Sequence, residues 1–551
     1  MSLNYSRVLW AACPWFFILA VLMHVKGCSI FFELSLASVN SVQMSFPIIV
    51  DYMSGSLMFT VLFISSNVLH LANLYMEDEV YLKRFTFLVL LLIASMGALI
   101  LVPHITALLL GWDGLGLVSF LLVVFYASPK ALGAGMLTAL TNRLGDAMIL
   151  VSIAFMLEYN HHFELVSFFS QPVACFFLMV AGMTKSAQLP LSAWLPAAME
   201  APTPVSALVH SSTLVTAGVY LMIRLYGLLS QSLIFSSFIL IIGAVTSMLA
   251  GLSAMAECDM KKIIALSTLS QLGFMMMSLG LGYPKLAFFH LITHAMLKAL
   301  LFVCAGVIIH FHGHAQDIRQ MGGVSIQFPF TAAAISVSKM ALCAFPFMSG
   351  FYSKDAILEA FFWSPYGSIS VFIAMVSTIL TAMYSTRFFV RVLFPAQSGV
   401  PAVRFSEPFI FPMFSLATGA IVSGSMVSSL AGPLLVESFN PAVKVFLIAM
   451  VFISIIFIVT LKHNLEGSEF YSKVLLFSAS SDMLFLSNIS TQGVLSASTV
   501  SLSSISKTDQ SWFELGQTKV SGVKGSDILP TLMMSSFFMA LSAMVVLVFF
   551  S

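Results

Sequence analysis

The chain has 551 residues, of which 59% are apolar and only 9% are charged, whereas an average soluble domain carries about 25% charged residues. So few ions cannot cover a surface that faces water on all sides, and this composition excludes a soluble globular protein. The net charge of +1 leaves no basic excess for nucleic acid, and the six scattered cysteines lack the Cys-x-x-Cys spacing of an iron–sulfur cluster or a zinc site.

Fifteen apolar runs of roughly 20 residues, the length that a helix needs to cross about 30 Å of hydrocarbon, predict an all-α polytopic membrane protein. The runs cover 8–25, 55–74, 85–103, 105–126, 133–157, 173–200, 203–229, 233–255, 261–281, 285–312, 327–361, 366–393, 409–432, 443–462 and 529–550. Such long runs are unlike the short alternating strands of an outer-membrane barrel. Residues 27–54 do alternate loosely between apolar and polar, and they predict a hairpin between the first two helices.

Loop charges give the orientation of the predicted helices. If the N-terminus lies on face one and the helices alternate, face one carries fifteen loop lysines and arginines and face two carries four. The excess makes face one the cytoplasm-equivalent side. Residues 464–527 are polar and rich in serine; they form either a lateral amphipathic helix along face one or a loop before the last helix.

Two of the predicted helices are interrupted. The run 173–200 is broken at Pro190, and the run 327–361 is broken at Pro346 and Gly350. Proline removes a backbone hydrogen bond, and freed backbone at membrane depth is tolerated only beside protein or a water-filled cavity. The breaks are five helices apart, which predicts two five-helix repeats of opposite orientation; packing kinks without symmetry are the alternative.

This pattern divides the chain into five predicted parts. They are the N-terminal helices and hairpin at 1–84, the first repeat at 85–229, the second repeat at 233–393, additional transmembrane helices at 409–462, and the lateral segment with the final helix at 464–551.

Ionisable residues inside the apolar runs are the main functional signal, because an unpaired charge at bilayer depth costs roughly 2.5 to 10 kcal/mol or more. Asp113 and Lys185 are natural counter-ions, and a change in their separation would load or release a proton. A static buried ion pair is the alternative. Arg143 and Asp146 are three residues apart and share a helix face, as expected of a structural or field-setting pair.

Histidines and further lysines continue this series. His290, His294 and Lys298 are spaced by four on one predicted helix and form a stripe roughly 12 Å long, suited to proton hopping through intervening waters. With His210, they predict a proton relay. Metal binding by the two histidines of the stripe is the competing hypothesis, but no carboxylate or cysteine completes a site on that helix.

The second interrupted run carries two more buried lysines. Lys354 and Asp355 follow the break, with Glu359 one turn further on, and Lys339 precedes the break without an identifiable partner. In chain order, the sequence therefore offers a line of titratable groups through the plane of the membrane. No nucleophile–base pair or phosphate-binding loop competes with it.

Seven stretches of the sequence are similar to the motifs of a known family. They are Gly-Trp-Asp-Gly-Leu-Gly (111–116), Asn-Arg-Leu-Gly-Asp (142–146), Lys-Ser-Ala-Gln-Leu-Pro-Leu (185–191), Pro-Thr-Pro-Val-Ser-Ala-Leu-Val-His (202–210), 259–273, His-Leu-Ile-Thr-His-Ala-Met-Leu-Lys (290–298) and Gly-Phe-Tyr-Ser-Lys-Asp (350–355). Together they resemble the antiporter-like membrane subunits of respiratory complex I, most closely the chain 5 family. The similarity extends over about 50–460.

The resemblance implies a subunit of an H⁺-translocating NADH:ubiquinone reductase of the mitochondrial inner membrane, beside chain 4 and other antiporter-like chains. It also implies that NADH, FMN, iron–sulfur clusters and ubiquinone are bound by other subunits. By position, the family's hydrated proton axis falls on Asp113, Lys185, His210, His290, His294, Lys298, Lys354 and Asp355. The family usually has glutamate where Asp113 stands, and two helices before the hairpin where one is visible here.

Two other functions remain open from the sequence. A stand-alone Mrp-type sodium/proton antiporter subunit would share single motifs of this set. A structural clamp would carry the same charges as frozen ion pairs.

Overall fold

A computed structural model describes residues 2–39, 42–77, 79–158, 172–363, 368–394, 407–431 and 441–464, with single positions at 496 and 499. All elements described below lie in one compact unit, Met1–Leu484. The predicted lateral segment at 464–527 and the final predicted helix at 529–550 fall outside the described residues, apart from those two positions.

The described chain is almost entirely helical. Its α-helices are α1 Ser2–Lys26, α2 Tyr52–Tyr75, α3 Leu82–Leu101, α4 Ile105–Val123, α5 Pro129–Glu158, α6 Pro172–Lys185, α7 Trp194–Ala197, α8 Thr203–Ser211, α9 Leu214–Arg224, α10 Tyr226–Leu229, α11 Leu233–Ala256, α12 Met260–Gly280, α13 Pro284–Phe311, α14 Val324–Gln327, α15 Pro329–Leu342, α16 Ser349–Trp363, α17 Ser368–Leu393, α18 Ile410–Ala431 and α19 Pro441–Asn464. Three short 3₁₀ turns lie at Ala198–Glu200, Ile318–Gln320 and Glu407–Phe409.

Eleven of the helical segments in the described part are long and apolar enough to cross a membrane, and shorter apolar helices lie at Pro172–Lys185 and Val443–Ile458. Each predicted run between 8–25 and 443–462 coincides with a helix or with the pieces of an interrupted helix. The prediction of a helical, multi-span membrane protein is therefore confirmed.

The predicted hairpin is present. Strands β1 Ile30–Val39 and β2 Val42–Val50 pair antiparallel, with Ile30 opposite Val50 and an irregularity between Ser35 and Ala37. The capping residue of α2 follows β2 directly, so the hairpin leads without a linker into the second helix.

Asp51 fixes the start of α2. Its carboxylate accepts a hydrogen bond from the backbone N–H of Ser54, and the Ser54 hydroxyl accepts one from the backbone N–H of Asp51, which together form a capping box. The same carboxylate binds the Arg224 guanidinium at the end of α9, with Nη2 2.7 Å from Oδ1. The hairpin end of the bundle is thereby connected to the end of α9.

Three helical segments form the centre of the bundle. The apolar windows of α12, of α13 and of the α8–α9 segment are completely buried, whereas those of α1, α5 and α18 are mostly exposed. Polar residues on the central segments are therefore removed from lipid, and they require partners within the protein or water. This central position gives α13 its role in the site described next.

Candidate functional site

The first interrupted helix ends at a buried lysine. Helix α6 stops at Lys185, so the interruption begins one turn earlier than the predicted break at Pro190. The Trp194 indole donates a hydrogen bond to the freed carbonyl of Thr184 at 3.0 Å, and Gln188 Oε1 accepts from Thr246 of α11 at 2.7 Å. Protein side chains thus satisfy part of the backbone that the break exposes.

Lys185 is held by Trp112. Its side chain is fully buried, and its ammonium donates to the Trp112 carbonyl at 2.5 Å and lies 4.0 Å from the centroid of the Trp112 ring, within the range of a cation–π contact. Among the described residues, no carboxylate forms an ion pair with Lys185. Asp113 and Lys185, predicted as counter-ions whose separation changes, are therefore not in direct contact.

Asp113 is instead paired with Arg143. One guanidinium nitrogen, Nη1, lies 3.0 and 3.1 Å from the two Asp113 oxygens and 3.2 Å from Asp146 Oδ2. The side chains of Arg143 and Asp113 are 49% and 41% exposed, so this pair lies at the edge of the bundle whereas Lys185 lies inside it. The short aspartate side chain and the buried position of the lysine explain why the two do not meet.

Asp146 lies on the inner side of this pair. Its side chain is only 12% exposed, and Oδ1 has no hydrogen-bond partner in the described part of the chain. Asp146 and Asp113 both act electrostatically on Lys185, and Asp146 is the more buried of the two. The predicted Arg143–Asp146 pair is present as a contact. The sequence did not indicate that Asp146 is the more buried of the two carboxylates.

His210 lies at a helix interruption that the sequence analysis missed. Helix α8 ends at Ser211 and α9 begins at Leu214. The His210 ring is buried, 6.3 Å from the Trp194 ring and 6.4 Å from the Phe302 ring of α13. Its Nδ1 has no partner among the described side chains and backbone. The ring contacts place His210 between the first broken helix and α13.

The predicted stripe on α13 is buried along its length. His290 Nδ1 lies 3.0 Å from the Ser353 hydroxyl of α16, and the His290 and His294 rings are 6.3 Å apart. Neither ring nitrogen of His294 has a partner within the described residues. The Lys298 ammonium donates to the Ser267 hydroxyl of α12 at 2.6 Å. Hydroxyls thus connect the stripe to α12 and α16.

The second interrupted helix resembles the first in layout. Helix α15 ends at Leu342 and α16 begins at Ser349; Pro346 lies in the gap and Gly350 in the first turn of α16. The predicted position of this break is confirmed. The Lys354 ammonium is buried, donates to the Thr381 hydroxyl of α17 at 2.6 Å and lies 5.1 Å from the Phe274 ring centroid.

Asp355 belongs to a different cluster from Lys354. It interacts electrostatically with Glu359 and Lys444, and Glu359 Oε1 lies 3.6 Å from the Lys444 ammonium at the start of α19. In the described residues, Asp355 and Lys354 do not form an ion pair. The sequence analysis did not single out Lys444, which lies at the start of the predicted run 443–462.

Three of the buried titratable groups, His290, Lys298 and Lys354, therefore contact hydroxyls of neighbouring helices. Serine and threonine hydroxyls both donate and accept, so they can pass a proton between neighbouring groups. The described His, Cys, Asp and Glu side chains contain no set of three arranged to hold a metal ion. The arrangement suits proton transfer, with gaps between Lys185, His210 and the α13 stripe that direct contacts do not bridge.

Comparison with known proteins gives the family. A family model described as NADH:quinone oxidoreductase/Mrp antiporter, TM, matches residues 102–381, and one described as NADH dehydrogenase subunit 5 C-terminus matches 384–551. The chain also shares the fold of a chain in the structure of the Mrp complex from Dietzia sp. DQ12-45-1b, with a TM-score of 0.75 and 22% identity over 99% of this chain and 62% of that one.

Curated relatives agree with these matches. NADH-ubiquinone oxidoreductase chain 5 of Lumbricus terrestris is 48% identical over 435 residues, which are 78% of this chain and 75% of the relative. The protein of the same name from Aedes aegypti is 48% identical over 421 residues, 75% of this chain and 72% of the relative. Identity at this level over most of both sequences shows that the chain belongs to the NADH-ubiquinone oxidoreductase chain 5 family.

Proposed function

We propose that this chain is a proton-translocating core membrane subunit of NADH:ubiquinone oxidoreductase, complex I. Protons would cross the membrane through this subunit, coupled to electron transfer from NADH to ubiquinone in other subunits. The observation that carries the proposal is the set of buried lysines and histidines linked through hydroxyls across α12, α13, α16 and α17, in a chain of the chain 5 family.

Each site residue has a proposed role. Lys185 is the first proton carrier, and its charge is controlled by Asp146 and Asp113, with Arg143 setting the field between them. The onward carriers are His210, His290, His294, Lys298 and Lys354, and Asp355 continues the line beyond Lys354. The breaks at Pro190, Pro346 and Gly350 free backbone groups that support hydration at these points.

The proposed mechanism is electrostatic. A nearby negative charge favours the protonated form of a buried lysine, so a movement of the carboxylates relative to Lys185 would load or release its proton. The released proton would pass along the α13 stripe towards Lys354. The work done is about 2.3 kcal/mol for each elementary charge moved against 100 mV.

We further propose fifteen transmembrane helices with two inverted five-helix repeats, at 85–229 and 233–393, and a lateral helix within 464–527. The parts at 1–84, 409–462 and 464–551 would flank the repeats. The similar layout of the two interrupted helices supports this organisation, since each ends its first half close to a buried lysine.

Other subunits complete the proposed enzyme. Asp113 and Arg143 are about half exposed on the side of the bundle, and ions at membrane depth need cover by protein or water. This exposure supports a neighbouring antiporter-like subunit, such as chain 4, against α4 and α5. NADH, FMN, iron–sulfur clusters and ubiquinone would be held by other subunits, and the assembly would lie in the mitochondrial inner membrane among its lipids.

The alternative is a stand-alone Mrp-type sodium/proton antiporter subunit, which the fold similarity to the Mrp complex favours. The test is to purify the chain with its partners in mild detergent and reconstitute the assembly in lipid vesicles. We expect NADH oxidation with quinone to change the pH of the vesicle interior, in the direction set by the orientation of the complex. Sodium-driven proton exchange without NADH and quinone, with no NADH-driven response, would instead support the antiporter.

A further inference from the structure

Lys339 is a buried lysine that the relay described above does not use. Its residue is 3% exposed, and its ammonium has no hydrogen-bond partner among the described residues. The ammonium lies 3.8 Å from the centroid of the Phe388 ring of α17. An unpaired buried charge is costly, and replacing it by a hydrophobic side chain is often neutral or stabilising. Within the described part of the chain, no hydrogen bond therefore accounts for a lysine at this position.

The setting of Lys339 resembles that of Lys185. Each lysine lies in the last turn of the first half of an interrupted helix, α6 or α15. The Lys185 ammonium lies 4.0 Å from the centroid of an aromatic ring, and the Lys339 ammonium lies 3.8 Å from one. The C-terminal end of a helix favours a positive charge, and so does the face of an aromatic ring. Both sites thus stabilise an ammonium without a fixed counter-ion.

A series of hydrogen bonds, one of them to a backbone carbonyl, leads from Lys298 to α17. The Lys298 ammonium donates to the Ser267 hydroxyl at 2.6 Å, and the Ser270 hydroxyl donates to the Ser267 carbonyl at 3.0 Å. Ser270 Oγ also lies 3.1 Å from the Tyr384 hydroxyl of α17. The groups that meet here all come from the completely buried helices α12 and α13 and from α17.

The same helix connects to Lys339 and to Lys354. Ser385, next to Tyr384, has its hydroxyl 2.7 Å from the thiol of Cys343, one turn after Lys339 on the chain. Thr381, one turn earlier on α17, binds the Lys354 ammonium. Lys339 also acts electrostatically on Lys298. The titratable groups near Lys339 are therefore Lys298 and Cys343.

From this geometry we infer that Lys339 is a further proton-carrying residue of the line, which exchanges protons with Lys298 through water. The inference rests on the proposed function. Only protons move: one N–H bond of the donor ammonium breaks, each intervening water accepts one proton and gives up another, and an N–H bond forms on the acceptor amine. Because like charges repel, a proton on Lys339 favours departure of the proton on its neighbours.

The test uses the assembled complex in vesicles and the initial rate of NADH-driven proton translocation. Lys339→Met removes the proton site, and Lys339→Arg keeps the charge and the contact with Phe388 but does not release a proton. We expect both variants to slow the transfer step by about 10²-fold, the lower end for loss of a positioned acid–base group. Lys285→Met, which removes an exposed lysine at the start of α13, should pump as the unmodified complex does.

Two outcomes overturn the inference. Unimpaired pumping by Lys339→Met excludes a proton-carrying role, and full pumping by Lys339→Arg reduces the residue to a structural charge. If Lys339→Met does not assemble, Lys339→Arg, which keeps the charge but gives up no proton, decides the question in the same way. Lys354→Met separates this inference from the proposed function, because normal pumping in that variant contradicts the proposed relay itself.

Discussion

Motif position alone does not single out Asp146, a buried carboxylate that acts electrostatically on Lys185. Asp113 pairs with Arg143 at the exposed edge of the bundle. We therefore expect Asp146→Asn to reduce NADH-driven proton translocation at least as much as Asp113→Asn, measured on reconstituted complex of equal subunit content. If Asp146→Asn translocates protons normally while Asp113→Asn does not, the greater importance of Asp146 is contradicted.

The sequence predicted which residues are buried and titratable but not which atoms they meet. Apolar context is enough to recognise Lys185 or Lys354 as intramembrane lysines. Their partners, the Trp112 carbonyl and the Thr381 hydroxyl, depend on helix rotation and side-chain reach, which no local pattern encodes. Lys444 was missed for the same reason, because its contact with Glu359 joins residues far apart in the chain.

The gap in the second interrupted helix closes through a backbone contact that only glycine permits. A Cβ on Gly350 would lie 1.9 Å from the carbonyl oxygen of Ala341, so the two halves of the helix would have to separate. We expect Gly350→Ala to lower the stability of the assembled subunit by about 3 kcal/mol, the upper range for overpacking, and to lower the yield of complex.

Gly133→Ala is the matched control for that change. A Cβ on Gly133 in α5 meets nothing within 4 Å, and alanine is the better helix former by about 1 kcal/mol. Thermal unfolding of the complex should therefore show Gly133→Ala unchanged or slightly stabilised. Equal unfolding temperatures for Gly350→Ala and the unmodified complex would show that the close contact between Gly350 and the Ala341 carbonyl is not required for stability.

At the level of helices, the sequence predicted the elements well because lipid requires long apolar runs. The proline signal located both breaks, but the first begins at Lys185, one turn before Pro190. The interruption between α8 and α9 had no proline signal. There the Thr213 hydroxyl donates to the Leu208 carbonyl at 3.1 Å, which is a local bond of the kind that competes with helix geometry.

Across the whole molecule, the Asp51–Arg224 pair connects the hairpin end of α2 to the end of α9. Burial disfavours the Asp51 carboxylate, but the hydrogen bonds and charge of Arg224 together with Ser54 outweigh it and hold the pKa of Asp51 below its usual value. A depressed folded pKa contributes stability above the unfolded pKa, near 3.9, and this stability is lost as the pH falls through the folded pKa.

Asp51→Asn tests this connection. At pH 7 the variant leaves Arg224 without its counter-ion, and we expect a loss of about 3 kcal/mol in stability, with proton translocation by the surviving complex retained. The difference from the unmodified protein should shrink as the pH falls below about 3.9, because Asp51 is then protonated in the unfolded state, and it should vanish below the lower folded pKa. A difference in thermal unfolding that stays constant between pH 7 and pH 3 would contradict the ion-pair explanation.

The central claim is that buried lysines carry protons through this subunit, and the proton-to-electron ratio of the reconstituted complex tests it most directly. We expect Lys185→Met and Lys354→Met to assemble, to bind their partner subunits and to move fewer protons for each NADH oxidised. Lys130→Met, an exposed lysine in the first turn of α5, should keep the full ratio. An unchanged ratio in both Lys185→Met and Lys354→Met would contradict the account.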